Sequence, residues 1–216
     1  MARTALALLC RRCPRLVGLC YWAGTAAIAI EELHHRQSFD LDFHTRRALV
    51  NTTPILAELR AAFGDDFELI QAPDEFGSGF QGVLKLPDGE RITLEVLSNY
   101  EDVPDVDLVD AATVKSLKRV TLERYLADKI QCVTERAEAR DLVDIAAVLR
   151  SAPALRPRAR TLLAQQDALL LVERLLAWTD AEIDRDLEAY EGVSTADAKE
   201  TRDMLLGWLK QMGSET

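Results

Sequence analysis

Asp40 and Asp42, separated by one residue, are the pair in this sequence best suited to chemistry. In Ser38-Phe39-Asp40-Leu41-Asp42-Phe43 polar and apolar residues alternate with the period of a strand. Ser38, Asp40 and Asp42 then share one face, and Phe39, Leu41 and Phe43 the other. Aspartate is a poor strand former, and two carboxylates on one face repel each other unless a cation lies between them. Hard oxygen ligands on a rigid strand suit Mg2+, which binds through a few carboxylates plus the phosphates of a substrate. The same spacing also fits edge-strand charges facing water, and glycosyltransferases use an Asp-x-Asp as well.

Three further pieces carry reactive groups. Glu95, in Arg91-Ile92-Thr93-Leu94-Glu95-Val96-Leu97, faces away from Ile92, Leu94 and Val96, and a carboxylate in a central strand needs a partner. Alone it reads as a salt-bridged or edge glutamate. Gly24 and Thr25 sit at a strand-to-helix turn, where a glycine lets the backbone approach a phosphate and a helix N-terminus favours an anion. Lys129 follows the amphipathic run Tyr125-Leu126-Ala127-Asp128. Arg140-Asp141-Leu142-Val143-Asp144 comes next, with Arg140 and Asp144 spaced to pair on a helix surface.

These groups need elements to hold them. Leu16–Trp22 reads as a strand, Gly24–Leu33 as a helix and Ser38–His44 as the strand bearing the aspartates. Thr53–Phe63 reads as a helix with Thr52 or Thr53 as its cap and Pro54 at its first position. Phe67–Gln71, Gln81–Leu86 and Arg91–Leu97 read as strands, the last two joined by the tight turn Pro87-Asp88-Gly89-Glu90. From about residue 120 the period is helical: Thr121–Ala137 is followed by Ala139–Leu149 and, past Pro153 and Pro157, by two or three more helices. The expected organisation is an α/β domain over 1–110 and a helical domain over 111–216.

Composition narrows the function classes. No apolar run approaches the ~18–20 residues that span a bilayer. The apolar stretch Ala5–Cys10 stops at Arg11 and Arg12, too soon for a signal peptide. The expectation is therefore an N-terminal helix and a cytoplasmic protein without a membrane partner. Cys10, Cys13, Cys20 and Cys132 do not suggest a disulfide framework in a chain of 216 residues. Cys10-x-x-Cys13 finds no zinc-finger spacing among His34, His35 and His44. A net charge of −10 repels nucleic acid over most of the surface. A nucleic-acid partner would need a local basic patch, for which Arg11, Arg12 and Arg15, Lys115, Lys118 and Arg119, or Arg156, Arg158 and Arg160 are the candidates.

Taken in order, these pieces resemble the AbiEii family of nucleotidyltransferase-like proteins, toxins of bacterial toxin–antitoxin systems within the DNA polymerase β superfamily. Members carry Gly-Gly-Thr-Ala-Leu, then Arg-x-Ser-x-Asp-hydrophobic-Asp-hydrophobic, a carboxylate in a later strand, a lysine, and Arg-Asp-hydrophobic-x-Asp. This chain has Ala23-Gly24-Thr25-Ala26-Ala27, Arg36-Gln37-Ser38-Phe39-Asp40-Leu41-Asp42-Phe43, Glu95, Lys129 and Arg140-Asp141-Leu142-Val143-Asp144. It departs at Ala23, which replaces a glycine, and at Glu95, where aspartate is more usual.

The resemblance implies an α/β (α+β) nucleotidyltransferase core with a mixed sheet, followed by an all-helical C-terminal domain. It implies transfer of a nucleoside monophosphate from an NTP to an acceptor hydroxyl on RNA, tRNA included, or on protein, with a cognate antitoxin as a partner. Asp40, Asp42 and Glu95 would be the ligands of Mg2+ or Mn2+. Gly24, Thr25 and Ser38 would contact the nucleotide, and Lys129 would be a point charge for its phosphates. Asp141 and Asp144 would orient Lys129 or the acceptor. An aminoglycoside-type small-molecule nucleotidyltransferase, to which an acidic surface is suited, and an inactive nucleotide-binding or regulatory protein on the same fold are the alternatives.

Overall fold

The computed structural model describes residues 1–136 and 138–214. Ala137, the expected last residue of the Thr121–Ala137 helix, lies outside the described residues, as do residues 215 and 216 at the end of the expected helical domain. The chain divides into two units: Met1–Glu32 with Ser38–Thr121, and Leu33–Gln37 with Leu122–Thr216. Strands near residues 108–120 belong to the first unit. Among the described residues no helix is long and apolar enough to cross a membrane.

The first unit contains α1 (Ala2–Arg12), α2 (Pro14–Leu19), β1 (Cys20–Ala23), α3 (Gly24–Ile28), β2 (Asp40–Ala48), α4 (Thr53–Phe63), β3 (Phe67–Gln71), β4 (Gly79–Lys85), β5 (Arg91–Asn99), β6 (Leu108–Asp110) and β7 (Lys118–Val120). The strands form one mixed sheet in the order β3-β4-β5-β2-β1-β7-β6. β2 and β5 pair in parallel, as do β1 and β7, while β1 and β2 run antiparallel. Alternation places the residues as a strand period requires: Leu41, Phe43 and Thr45 are buried, whereas Asp40, Asp42 and His44 are half-buried. On β5, Ile92, Leu94 and Val96 are buried and Glu95 is half-buried. The buried face joins Trp22, Leu41, Phe43, Leu94 and Val96 with Ile55 and Leu59 of α4 in the core. Each such side chain contributes about 1.5–3 kcal/mol on burial.

Two local expectations differ. Leu16–Trp22, expected as one strand, is split between α2 and β1. Pro14 takes the first position of α2, and the Glu58 carboxylate of α4 accepts from the backbone N–H groups of Arg15 and Leu16 at 2.9 Å each. Thr52 precedes α4, but its hydroxyl donates to the Gly77 carbonyl at 2.8 Å, and it is the Asn51 side chain that accepts from Thr53 N–H at 2.8 Å.

The second unit is helical: α5 (Leu122–Glu135), α6 (Ala139–Ser151), α7 (Arg156–Ala164), α8 (Ala168–Ala177), α9 (Asp180–Leu187) and α10 (Thr195–Ser214). Tyr125, Leu126, Ile130 and Val133 form the buried stripe of α5, and Leu142, Ile145, Val148 and Leu149 that of α6. A capping box starts α9, with Thr179 and Glu182 satisfying each other's backbone N–H.

Candidate active site

Asp40 and Asp42 lie on one face of β2, and the sheet register sets their neighbours. Asp42 pairs with Glu95 on β5 and with Ala23 on β1, Glu95 pairs onward with Gln81 on β4, and Asp40 pairs with Thr93. One row across four strands thus reads Ala23, Asp42, Glu95, Gln81. Residues opposed in register project from the same face of a sheet, so Asp42 and Glu95 stand side by side. The Ser38 hydroxyl donates to the Asp40 carboxylate. Asp40, Asp42 and Glu95 are all half-buried, reachable by a ligand yet held by backbone pairing on both sides of β2.

The turn after β1 completes this face. Gly24 has φ of +68°, a left-handed conformation that side chains other than glycine's rarely adopt. A Cβ at Gly24 would lie 2.7 Å from Asp42 Cγ and would overlap its carboxylate. The glycine is therefore required twice, by its backbone angle and by the approach of Asp42. Thr25 follows, buried at the start of α3, which continues as a π-helical turn over Ala29–Leu33.

Among the described residues no three His, Cys, Asp or Glu side chains are grouped to hold a metal ion. The expected metal ligands Asp40, Asp42 and Glu95 share a face without forming a preassembled three-ligand cage. The donors are all hard carboxylate oxygens. Mg2+ commonly takes one or two carboxylates plus substrate phosphates, and this arrangement fits that mode.

The remaining expected site residues lie in the helical unit and form a different kind of arrangement. Asp141 and Asp144 on α6 are fully buried. Lys129 Nζ of α5 donates to Asp141 Oδ1 at 2.8 Å and lies 2.9 Å from Asp144 Oδ2. Arg36 grips Asp144 through two nitrogens, Nε at 2.7 Å and a terminal nitrogen at 2.9 Å. His35 Nε2 is 2.9 Å from the same carboxylate. Arg136 makes the matching two contacts to Asp141, at 3.0 and 3.1 Å. Burial alone would raise the Asp144 pKa, but the Lys129 charge and the hydrogen bonds from Arg36 and His35 outweigh it and hold the carboxyl well below the usual range. Burial would likewise lower the Lys129 pKa, and the charges of Asp144 and Asp141 raise it instead.

Glu123 and Asp128, two acids near Lys129 in sequence, pair with Arg158 and Arg124. Arg140 pairs with Glu138 at 2.7 Å and stacks on Tyr190, rather than pairing with Asp144 one turn on. His35, Arg36 and Arg136 are partners that sequence reasoning did not assign to the two acids. The only signal for His35 is its place beside Arg36, just before Ser38.

Comparison with known proteins bears on the fold and on the family. No curated protein matches the sequence. JHP933 of Helicobacter pylori is similar in structure, with a TM-score of 0.58 at 18% identity over 97% of this chain and 94% of that one. A second protein of that organism, solved as a candidate nucleotidyltransferase, gives a TM-score of 0.56 at 18% identity over 96% and 95% of the two chains. MenT4, a nucleotidyltransferase toxin of Mycobacterium tuberculosis, gives 0.49 at 15% identity over 96% and 84%. At 18% identity the likeness to the two Helicobacter pylori proteins speaks for the fold. The family model "Nucleotidyl transferase AbiEii toxin, Type IV TA system" matches residues 24–207, which include Gly24, both strand aspartates, Glu95 and the α5–α6 charges. The chain belongs to the AbiEii nucleotidyl transferase toxin family of type IV toxin–antitoxin systems and is a nucleotidyltransferase.

Proposed function

We propose that the protein transfers a nucleoside monophosphate from an Mg2+-bound NTP to an acceptor hydroxyl on RNA, tRNA included, or on protein. The observation that carries this reading is the row on the sheet: Asp42 beside Glu95, Asp40 two residues away on the same face, and Gly24 closed against the Asp42 carboxylate. Asp40 and Asp42 hold the metal that accompanies the triphosphate, and Glu95 completes the set and accepts the proton of the attacking hydroxyl. The metal, when bound, neutralises charge on the α-phosphate and on departing pyrophosphate. Gly24 and Thr25 contact the phosphates through backbone and hydroxyl, and Ser38 fixes the Asp40 carboxylate.

In the helical unit the proposal gives Lys129 a phosphate oxygen of the NTP. An ammonium has three donors. Asp141 and Asp144 take two and orient the third. The protein is expected to act in the cytoplasm, with an antitoxin as its natural counterpart.

The test supplies an NTP labelled on its α-phosphate, with Mg2+ or with EDTA, to the purified protein together with RNA, a protein extract or an aminoglycoside. Label on RNA or protein with Mg2+ alone supports the reading. Label on the aminoglycoside would favour the small-molecule reading, to which a net charge of −10 is suited. No transfer to any acceptor would overturn both.

A further inference from the structure

An open cavity of about 330 Å3 lies at the junction of α8 and α9, lined by Arg174, Ala177, Trp178, Glu182, Arg185 and Asp186. Its two acids match its two arginines in number, but the acids are also committed elsewhere. Glu182 is committed to the capping box, where it accepts from the Thr179 N–H at 3.0 Å and the Thr179 hydroxyl at 2.9 Å. Asp186 accepts from the backbone N–H of Ala139 at 2.8 Å, at the start of α6. Both acids thus serve backbone donors. Neither arginine forms a salt bridge with a described residue, although, after the Thr179 hydrogen bonds, the Arg185 charge helps to hold the Glu182 carboxyl below its usual range, and Arg174 Nε is buried without a hydrogen-bond partner among the described residues. Leaving a buried guanidinium donor unsatisfied is costly, and it is unexpected in a helical unit whose other buried charges are paired. Trp178 gives the same cavity an aromatic wall, and its backbone is fixed by Arg202, which donates to the Trp178 carbonyl at 2.6 Å.

We propose that this cavity is a subsite for one nucleotide unit, with Arg174 and Arg185 taking its phosphate and Trp178 stacking on its base. Guanidinium groups bind phosphate with two donors each, and aromatic stacking holds bases regardless of sequence. The volume suits a single small ligand. Two of the three basic groups picked out in the sequence are less suited to this. Arg119 is buried against Glu31 and Glu32, Lys118 pairs with Asp110, and Arg158 pairs with Glu123. A chain of net charge −10 that holds a nucleotide strand needs at least one built anion site. The unit can come from a free mononucleotide or from a single-stranded RNA. The RNA source rests on the acceptor proposed above, whereas the subsite itself does not.

The test titrates the full chain with adenosine 5′-monophosphate, with adenosine, and with a short single-stranded RNA, all in EDTA, and follows tryptophan fluorescence. Quenching by the monophosphate is expected, with adenosine binding more weakly. Arg174→Gln and Arg185→Gln should each weaken binding on the order of tenfold or more. Trp178→Phe should remove the quench while Trp22 and Trp208 continue to report an intact fold. Tighter binding of the RNA than of the monophosphate, lost in Arg174→Gln, assigns the site to a strand; equal or weaker RNA binding assigns it to a free nucleotide. No quench at millimolar monophosphate, or binding unchanged in both arginine variants, would overturn the proposal. An Asp42→Asn chain that binds the monophosphate in EDTA but transfers nothing separates this subsite from the transfer reaction, so the two readings fail independently.

Discussion

Asp42 on β2 and Asp144 on α6 are the same side chain under opposite conditions. Asp42 is half-buried beside a second carboxylate, Glu95, and a glycine turn. Asp144 is fully buried and surrounded by Lys129, Arg36 and His35. In the helical unit, Asp141 and Asp144 meet Lys129, Arg36 and Arg136, three cations against two acids at neutral pH even before His35 is considered. On the sheet, acids accumulate. The contrast teaches where each type of work is done: paired charges hold a helix pair in register, and the carboxylates side by side on the sheet form the row to which the proposal gives the metal. Removing a member of the first group should cost stability, and removing a member of the second should cost activity.

The largest stability effect is expected at Asp144. Asp144→Ala leaves Arg36 buried without its carboxylate and Lys129 with Asp141 alone, and breaking such a buried pair costs about 3–5 kcal/mol. Urea unfolding checks this, and a loss below about 1 kcal/mol would erase the contrast between the regions.

The pH dependence follows from the same group. Folding depresses the Asp144 pKa, so its contribution is present above the unfolded carboxylate value of about 3.9 and is lost as pH falls through the lower folded value. Lys129 has the opposite sign. Its pKa is raised, so its contribution is present below about 10.4 and is lost as pH rises through the folded value. Stability measured across pH should therefore fall at both acid and alkaline extremes in the wild type. In Asp144→Ala the alkaline fall should shrink.

Gly24→Ala sharpens the comparison from the sheet side. A left-handed angle costs a non-glycine residue roughly 1–2 kcal/mol, and the added methyl must displace the Asp42 carboxylate. Transfer should fall far more than this stability loss alone would cause, as seen by comparing turnover with melting temperature. The smallest effect is expected at Arg140, whose partly exposed pair with Glu138 is worth about 0–1 kcal/mol. Arg140→Ala should leave the melting curve and turnover nearly unchanged.

Much of the sheet was legible in the sequence because its signals are local. Phe67–Gln71 and Thr53–Phe63 stand where alternation and Pro54 place them. The Asp40 and Asp42 face follows from period alone. Leu16–Trp22 was misread because a short apolar run fits either a helix or a strand, and what decides it is Glu58, more than 40 residues away, reaching back to Arg15 and Leu16. β6 and β7 escaped notice because each is only three residues long and exists through pairing. The same limit applies at the site. Ser38, Asp40 and Asp42 form a contiguous motif, whereas His35 and Arg36 meet Asp144 across more than 100 residues of chain.

The measurement that bears most directly on the central claim is transfer from an α-labelled NTP by Asp42→Asn, run beside its thermal unfolding. The substitution keeps the side-chain shape and removes one charge from the proposed metal face. Transfer should drop by at least about 100-fold, the scale of losing one such electrostatic contribution, while the melting temperature holds or rises as repulsion from Glu95 is relieved. Wild-type transfer in a folded Asp42→Asn protein would contradict the account.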